Sequence, residues 1–548
     1  MLGLYVGVGV FDHEIWAPVE PTIAGVVWNM VDTGNLAVPF VNHDAWVEKP
    51  PFYYWLAWAS AGSLGGLDAG TLRLPAALLG LGCLGFVFWT SRRTWGTEVA
   101  CITTLAAAAS VMLWDTAHRA SSDISATFFT FLCFALFTRS LHRTQGSTPD
   151  RRQPWDLAFC ITLAASFYAK NVFTFLLVLP PVVVFLLLAR QPRRLATLGI
   201  ITAVALVVLL TPWIVAVYLE GGTEPLRIIF YDNTLGRFLP MDEEYALQFT
   251  TTMSDAMIAE KEPALFYVPR LFAYPLPWTA IFLVALVDLF RTRRAHGDFE
   301  RFLLVGVLTM PIVLTLSSAK STDYMVPILF FDVLIIGRLV ASLIRGRPLE
   351  AWERVLVLAN VLVALVLIAV FPIVLAILFG SATTLVFAPP AALTAWWLWS
   401  RLRQDAPNAR WCFDFGASAV VAATLGLAIA IPAVDVDKSY GPYFDDVQPL
   451  AANRHLVTTF HEINRLPLIN YYLERRAETF ETFAPVATLL EGNDPIAAFV
   501  RCHRYAEHRV RLEATPGISM LAEPERKDIC FVWNHARAPR LPLRRTGS

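Results

Sequence analysis

Charged residues are scarce in this sequence. They make up 16% of its 548 residues, whereas hydrophobic residues make up 56%, and the mean hydropathy is +0.52. Charged residues form about a quarter of an ordinary soluble domain. The composition therefore excludes a soluble globule of this size and indicates an integral membrane protein.

Cysteine is also rare, with seven residues and no CxxC or CxxxH spacing. Zinc sites and redox-active pairs use such spacings, so neither is predicted. The first apolar stretch leads directly into "FDHEIW" without a small-residue cleavage site. We therefore expect no cleavable signal peptide.

Long apolar runs recur through the first four-fifths of the chain, and most approach the length that a helix needs to cross hydrocarbon. Residues 1–11 resemble the last turns of one further helix. We therefore predict a truncated first span and about thirteen spans in all. The other predicted spans are 72–90, 97–113, 122–141, 156–169, 171–189, 195–218, 266–289, 302–317, 324–344, 354–378, 381–400 and 412–432.

Alternate loops, such as "SRRTWG" and "RTRRAHGDFER", are rich in arginine. Loops of this kind stay in the cytoplasm, and the intervening loops here are acidic or mixed. We therefore predict a membrane domain over 1–432, with a first outer loop at 12–71 that carries interfacial helices. A long outer loop is predicted at 219–265.

The chain has few lysines, and each falls on the predicted outer side. Two interpretations are open: chance among few residues, or sites that require a compact ammonium charge. The lysines are Lys49, Lys170, Lys261, Lys320, Lys438 and Lys527.

The tail, residues 433–548, has more charge and no long apolar run. Short apolar stretches alternate with amphipathic ones, which predicts a small α/β domain on the outer side. Cys502 and Cys530 are its two cysteines. A disulfide between them and a pair of free thiols are both open alternatives.

Three acids, Asp12, Glu14 and Glu20, follow the first apolar stretch. Residues 21–32 have the period of a helix lying along the membrane interface, with apolar side chains on one face. Glu20 is a candidate general base. The alternative is a structural carboxylate at the start of this helix, beside Pro21.

The segment "VEKPPFYYWL" places Glu48 and Lys49 directly before two prolines. Prolines fix the backbone and stop a helix from continuing through them. The two charged side chains can then point at different groups, Lys49 at a phosphate and Glu48 at a hydroxyl or cation. The alternative is an interfacial anchor, with Lys49 reaching the headgroups beside aromatic residues.

Two further segments carry charge at a predicted membrane boundary. In "HRASSDIS", Asp123 can be a helix-start carboxylate that the helix dipole favours. The short island "LSSAKSTDYMVP" contributes Lys320 and Tyr324, and a loop with this many donors suits anion binding. Four cations, together with Asn233, can converge on one cavity that holds a lipid phosphate: Lys49, Lys170, Arg237 and Lys320.

The order of these motifs resembles that of the GT-C glycosyltransferases that use polyprenyl-phosphate sugars. The motifs are "EKPPFYYWL", "GTLRLPAAL", "RASSD", "AKN", "NTLGRF" and "SSAKSTDYMVP". Within that group they are most similar to the undecaprenyl-phosphate aminoarabinose lipid A transferases. Protein O-mannosyltransferases are more distant. The resemblance covers about residues 12–330.

The resemblance implies an all-α polytopic fold of thirteen transmembrane helices with a periplasmic α/β domain. It also implies a multi-pass protein of the bacterial inner membrane whose active site faces the periplasm. The implied reaction moves a sugar, with inversion, from a polyprenyl-phosphate donor to a lipid, glycan or protein acceptor. No nucleic acid is an expected partner.

The sequence departs from the family pattern at three places. Val19 and Thr22 replace an aspartate and an arginine of the first loop, so that only Glu20 of an acidic pair remains. Asn171 stands where glycine is usual. The segment "EKEP" replaces a common histidine in the long outer loop, and no metal or other cofactor is predicted.

The implied roles follow from charge. Lys49, Lys320 and Arg237 would stabilise the departing phosphate, with a hydrogen bond from Tyr324. Glu20 would accept the proton of a neutral acceptor. Glu48 would orient Lys49 or the sugar hydroxyls, and Asp123 would orient the sugar from the facing helix. A lipid or solute transporter and a lipid-binding protein that has lost catalysis are the competing interpretations.

Overall fold

The computed structural model describes residues 7–142, 153–235, 263, 265–273, 275–316, 320–379, 382–402, 409–460, 465–502, 517–522 and 529–534. Most of these residues are helical. The membrane-domain helices are α1 (Glu20–Thr33), α2 (Phe52–Leu64), α3 (Ala69–Trp95), α4 (Thr97–Ala108), α5 (Val111–Ala117), α6 (Ser122–His142), α7 (Gln153–Ala165), α8 (Phe167–Lys170), α9 (Phe173–Leu188), α10 (Pro192–Gly221), α11 (Thr223–Arg227), α12 (Tyr267–Ala273), α13 (Thr279–Arg291), α14 (Asp298–Leu316), α15 (Leu329–Ile344), α16 (Ala351–Phe379), α17 (Ala388–Leu402) and α18 (Ala409–Lys438).

Helices α3 and α6, which carry site residues near their first turns, pack against each other and against short or irregular elements. A two-stranded antiparallel ribbon, β1 (Phe40–Val41) and β2 (Asp44–Ala45), lies between α1 and α2. A short 3-10 helix, Thr322–Ile328, leads directly into α15. A short π-helix, Ile228–Leu235, follows α11.

The predicted apolar spans fall on helices. In the described part, seven helices are long and apolar enough to cross a membrane, or up to eight if α4 and α5 form one span bent by 69°. The count of thirteen stays a prediction. The prediction of one continuous span at 266–289 is wrong, because this run divides into α12 and α13. Pro275 and Pro277 lie between them and remove the backbone N–H groups that a continuous helix needs.

Helix α1 also differs from its prediction. The sequence predicts a helix with one apolar face along the membrane interface, but every residue from Glu20 to Met30 is buried. The second face is covered by a helix of the tail, α20 (Leu466–Leu473), which packs along α1. Gly25 permits this close approach, since a Cβ there would lie 2.5 Å from the Cβ of Pro467.

The tail is an α/β unit, as predicted, although α18 continues past the predicted boundary at 432. Besides α20 it contains α19 (Gly441–Ala451) and α21 (Phe483–Glu491). Its strands are β3 (His455–Thr458), β4 (Glu478–Thr479), β5 (Ile496–Val500), β6 (Ile518–Ala522) and β7 (Cys530–Asn534). The sheet order is β4-β3-β5-β7-β6, parallel from β4 to β5 and antiparallel across β7. Cys502 and Cys530 form a disulfide.

Polar contacts fix the tail to the first loop. Asn42 and Ala477 exchange two hydrogen bonds of 2.8 and 2.9 Å. The Arg476 guanidinium donates to Asn29 Oδ1 at 3.0 Å and pairs with Asp32 at 2.7 Å. These contacts join segments that are more than 400 residues apart in sequence. The tail therefore helps to set the conformation of the first loop.

Candidate functional site

Glu20, the predicted general base, forms a buried ion pair with Arg73 of α3. Arg73 Nε and Nη2 donate to the two carboxylate oxygens at 2.7 and 2.6 Å. The backbone amides of Trp16 and Ala120 donate to the same carboxylate at 2.8 and 3.0 Å. The Glu20–Arg73 pair thus joins the first loop, α3 and the segment before α6.

The remaining donors of Arg73 are also engaged. Its Nη1 and Nη2 donate to the carbonyl oxygens of His13 and Glu14 at 2.8 and 2.5 Å. The Arg73 side chain is 0% exposed and that of Glu20 is 2% exposed. Burial opposes ionisation of Glu20, but the Arg73 guanidinium and the two amides hold its pKa below the ordinary value. This geometry favours a structural role for Glu20 over the predicted general-base role.

A second charged group lies around Asp123 in the first turn of α6. Lys170 Nζ donates to Asp123 Oδ1. Ser121 Oγ donates to Oδ2 at 2.8 Å. The Lys170 ammonium lies 4.8 Å from the ring centroid of Phe173 and 4.4 Å from that of Tyr324. We call Asp123, Lys170, Phe173 and Tyr324 the Asp123 cluster. It contains three residues that the sequence predicted for the site.

A break between α8 and α9 places Lys170 in this cluster. Helix α8 ends at Lys170 because Asn171 has a φ of 49°, which the helix cannot accommodate. With a ψ of -140°, Asn171 lies outside the left-handed helical region that asparagine tolerates, in a conformation that glycine adopts most readily. The departure from glycine noted in the sequence therefore places a side chain on a backbone conformation that favours glycine. Lys170 is buried against an acid and two rings, which suits an orienting role better than direct contact with a phosphate.

Glu48 and Lys49 approach the same cluster from the first loop. The sequence indicated that these neighbours need not pair, but Lys49 Nζ donates to Glu48 Oε1 at 2.5 Å. Asn171 Nδ2 donates to the backbone oxygen of Glu48 at 3.5 Å. The charge of Lys49 also acts on Asp123. At 25% exposed, the Lys49 side chain keeps access to solvent that Lys170 lacks.

Arg119 and Asp323 link two motifs that the sequence treated separately. Arg119 Nη2 donates to Asp323 Oδ2 at 2.9 Å and lies 3.4 Å from the carboxylate of Asp115 on α5. The pair connects the segment before α6 to the 3-10 helix that carries Tyr324. The sequence assigned no role to Arg73 or to this pair. The available signal was charge within the otherwise apolar motifs "GTLRLPAAL" and "RASSD".

Among the described residues, no hydrogen bond or ion pair joins Lys320 to the Asp123 cluster, and its side chain is half-buried. Asn233 lies in the π-helix after α11. Arg237 lies outside the described residues. The positions of Lys320 and Tyr324 are nevertheless close in sequence, on either side of Asp323.

The described residues include no group of three or more His, Cys, Asp or Glu side chains arranged to hold a metal ion. Residues 260–262 of the "EKEP" segment lie outside the described part. The prediction of a metal-free site therefore stays a prediction.

Comparison with known proteins identifies the class of fold to which this chain is similar. Residues 48–216 match the family described as dolichyl-phosphate-mannose-protein mannosyltransferase. The resemblance predicted from the motifs, to glycosyltransferases that use polyprenyl-phosphate sugars, is confirmed. The fold is that of ArnT from Cupriavidus metallidurans, which aligns with a TM-score of 0.76 at 18% identity over 98% of this chain and 96% of that chain.

Sequence relatives agree with the fold. A Pseudomonas fluorescens protein named undecaprenyl phosphate-alpha-4-amino-4-deoxy-L-arabinose arabinosyl transferase 2 is 27% identical over 346 residues, 62% of this chain and 58% of that protein. A Pseudomonas aeruginosa protein, also named as an undecaprenyl phosphate-alpha-4-amino-4-deoxy-L-arabinose arabinosyl transferase, is 23% identical over 63% of this chain and 59% of its own length. The match thus spans about three-fifths of these curated relatives. ArnT bound to undecaprenyl phosphate has a TM-score of 0.75, with 18% identity over 98% of this chain and 96% of that chain.

Proposed function

We propose that this protein is a membrane glycosyltransferase that moves a sugar from a polyprenyl-phosphate donor to a lipid, glycan or protein acceptor. The reaction takes place at the outer face of the bacterial inner membrane. The observation that carries this proposal is the contact of the Glu48–Lys49 segment with Asn171, next to the Lys170–Asp123 pair, because all of these residues lie within residues 48–216 that match the mannosyltransferase family. The names of the relatives and the undecaprenyl phosphate bound to ArnT support the donor class.

Lys49 is the described cation best placed to bind the donor phosphate. A phosphodiester carries one negative charge before the sugar leaves and gains another as the C–O bond breaks. A partly exposed ammonium stabilises that developing charge, since it is desolvated only in part before the donor binds. Glu48 holds the Lys49 side chain in place at 2.5 Å. Lys320, Asn233 and Arg237 are the further proposed ligands of the donor.

Asp123 orients the sugar. Its side chain is 15% exposed, and its carboxylate is held by hydrogen bonds from Lys170 and Ser121. A carboxylate held in this way can accept hydrogen bonds from sugar hydroxyls and stabilise positive charge at the anomeric carbon. Tyr324 supports Lys170 through its ring and can donate from its hydroxyl to the phosphate. The acceptor attacks the anomeric carbon opposite the departing phosphate, which inverts its configuration.

The general-base role predicted for Glu20 is not part of this proposal. Four hydrogen bonds already reach its carboxylate, and breaking any of them would leave a buried donor without a partner. The Glu20–Arg73 pair instead holds the first loop against α3. That loop also carries Glu48 and Lys49, and the pair stabilises its folded conformation without taking part in the chemistry.

The test uses the purified full chain in liposomes, with radiolabelled undecaprenyl-phosphate sugars and an extract of bacterial membranes. We expect covalent transfer of label by the wild-type protein and a loss of about a hundredfold or more in Lys49→Ala. Lys438→Ala is the matched control, because Lys438 lies 5.3 Å from the Trp16 ring and outside the Asp123 cluster. Its activity should stay within about threefold of wild type.

The competing functions give different results in the same liposomes. Movement of label across the bilayer without a covalent product would support a transporter. Binding of undecaprenyl phosphate without transfer from any labelled donor would support a lipid-binding protein without catalysis. Equal transfer by the Lys49→Ala and Lys438→Ala variants would contradict the role given to Lys49.

A further inference from the structure

Asp323, which pairs with Arg119 beside the Asp123 cluster, differs from Glu20 and Asp123 in how its oxygens are occupied. Both oxygens of Glu20 and both oxygens of Asp123 accept hydrogen bonds from named donors. Asp323 accepts one, from Arg119 to Oδ2. Its Oδ1 has no hydrogen-bond partner among the described residues. The Asp323 side chain is 17% exposed, so this oxygen can meet a small polar group.

Asp323 also lies at the candidate active site. It directly precedes Tyr324, whose ring contacts the Lys170 ammonium. The charges of Asp123 and Lys170 both act on it. Asp323 therefore lies near the carboxylate proposed to orient the sugar. A general base must lie within reach of the acceptor that attacks that sugar.

The local charge favours proton acceptance. Arg119 is shared, because it also faces Asp115 at 3.4 Å. Three carboxylates, those of Asp115, Asp123 and Asp323, thus surround two cations, Arg119 and Lys170. The net negative charge promotes binding of a proton by the carboxylate that is least neutralised. Asp123 accepts a hydrogen bond from Lys170, and Asp115 is more than half exposed to water. Asp323 is largely buried and shares Arg119 with Asp115, so it is the carboxylate whose charge is least compensated.

We propose that Asp323 is the general base of the transfer reaction and that the acceptor is therefore a hydroxyl group. This inference rests on the proposed glycosyltransferase function. The acceptor oxygen forms a bond to the anomeric carbon and gives its proton to Asp323 Oδ1. The bond from that carbon to the phosphate oxygen breaks, and its electron pair leaves with the polyprenyl phosphate. A phosphate acceptor, already ionised at neutral pH, would need no such base.

The experiment compares Asp323→Asn with Asp115→Asn in the reconstituted full chain, with labelled undecaprenyl-phosphate sugars as donors. Both variants remove one carboxylate from Arg119, but only Asp323 faces the cluster. We expect Asp323→Asn to lower kcat by about 10²–10⁴-fold, the usual contribution of a general base. Asp115→Asn should stay within about threefold of wild type. Binding of undecaprenyl phosphate should be unchanged in both variants.

The pH profile separates a base from a merely structural carboxylate. Wild-type kcat should fall on the acid side as the base becomes protonated, and this limb should be absent from the residual activity of Asp323→Asn. Arg119→Gln should move the limb to higher pH, since loss of the cation favours the protonated acid. The other charged groups that act on Asp323 are Asp115, Asp123 and Lys170. Lys320 and Tyr324 are close to it in sequence, and the Tyr267 hydroxyl accepts a hydrogen bond from the backbone N–H of Ser321.

The nature of the acceptor is tested with phosphatase-treated membrane extract. A hydroxyl acceptor survives this treatment, so we expect undiminished transfer of label. Loss of transfer after treatment would contradict the proposal, as would equal kcat in Asp323→Asn and Asp115→Asn. If Asp323→Asn fails to fold, Asp323→Glu provides the test, because it should retain the acid limb and more than a tenth of wild-type kcat. Absence of that limb would overturn the proposal.

These data distinguish failure of the proposed glycosyltransferase function from failure of the role proposed for Asp323. If the wild-type chain transfers label from none of the donors, the glycosyltransferase proposal is wrong and the role of Asp323 is wrong with it. If the wild type transfers label and Asp323→Asn does so equally well, only the role of Asp323 is wrong.

Discussion

The Glu20–Arg73 pair and the Asp123 cluster are both ion pairs near the predicted outer end of the helices, yet they differ in what remains available. The carboxylate oxygens of both Glu20 and Asp123 have donors, but the Glu20–Arg73 pair is inaccessible to solvent. The second keeps partial exposure at Asp123, and Lys49 beside it is more exposed still. Buried charges need full pairing to be tolerated, whereas a site needs an unfilled position for its substrate. The difference assigns structure to one group and chemistry to the other.

The largest effect is expected from Arg73→Ala. It leaves the Glu20 carboxylate buried without its countercharge, which costs about 3–5 kcal/mol of folding free energy. Thermal unfolding in detergent measures the loss. A variant with both Arg73→Met and Glu20→Met is the control, and it should recover much of the stability because no unpaired charge remains. An unfolding temperature of Arg73→Ala equal to that of wild type would contradict the structural role.

The same pair predicts a loss of stability in acid. Because the pKa of folded Glu20 is below its ordinary value of 4.5, its contribution is fully present above pH 4.5 and disappears as pH falls through the folded pKa. Thermal unfolding between pH 7 and pH 3 should show this decline. The Glu20→Gln variant is less stable at neutral pH and should show a weaker dependence over that range. Parallel curves for the two proteins would show that Glu20 is not responsible.

A smaller effect is expected where the tail meets the first loop. Gly25→Ala introduces a Cβ only 2.5 Å from Pro467 Cβ, so α1 and α20 must separate or shift. Overpacking of this kind usually costs about 1–3 kcal/mol. Limited proteolysis should show earlier release of the tail in this variant. Gly34→Ala does not serve as a control because its φ is positive, but Gly62→Ala does, since it meets no atom within 4 Å.

A further effect, on activity and not on stability, is expected from Tyr324→Phe. The ring that supports Lys170 at 4.4 Å is retained, and only a hydroxyl is lost. A hydrogen bond to a charged phosphate is worth about 1.5–3 kcal/mol, so kcat should fall by about tenfold or more. Tyr324→Ala also removes the ring and should lower kcat further. Equal activity of the two variants would mean that the ring does not position Lys170.

The sequence was sufficient for the helical architecture because apolar runs are local signals. It predicted apolar helices along most of the chain before residue 432, a stop to any helix at Pro50 and Pro51, and an α/β tail. It did not predict that α1 is buried on both faces, because the covering helix α20 lies more than 400 residues away. The break in 266–289 was visible as Pro275 and Pro277, but hydropathy alone gave a continuous span.

Candidate site residues were predicted by type and motif, whereas their partners were not. Glu20 and Arg73 are 53 residues apart, and Arg119 and Asp323 are 204 apart. Only the packing of α3, α6 and the segment before α15 brings these charges together. A lone glutamate in a loop therefore suggested a base, whereas the folded chain gives it an arginine and two amides. Which acid remains available is decided by tertiary structure.

The most direct test of the division between the two charged groups compares Glu20→Gln with Lys49→Ala in the same liposomes. Folded protein is quantified first, and transfer of label is then expressed per folded molecule. The account predicts that Glu20→Gln lowers the unfolding temperature while keeping transfer within about threefold of wild type. It predicts the opposite for Lys49→Ala, with normal unfolding and a loss of about a hundredfold or more. A Glu20→Gln variant as stable as wild type but inactive would contradict it.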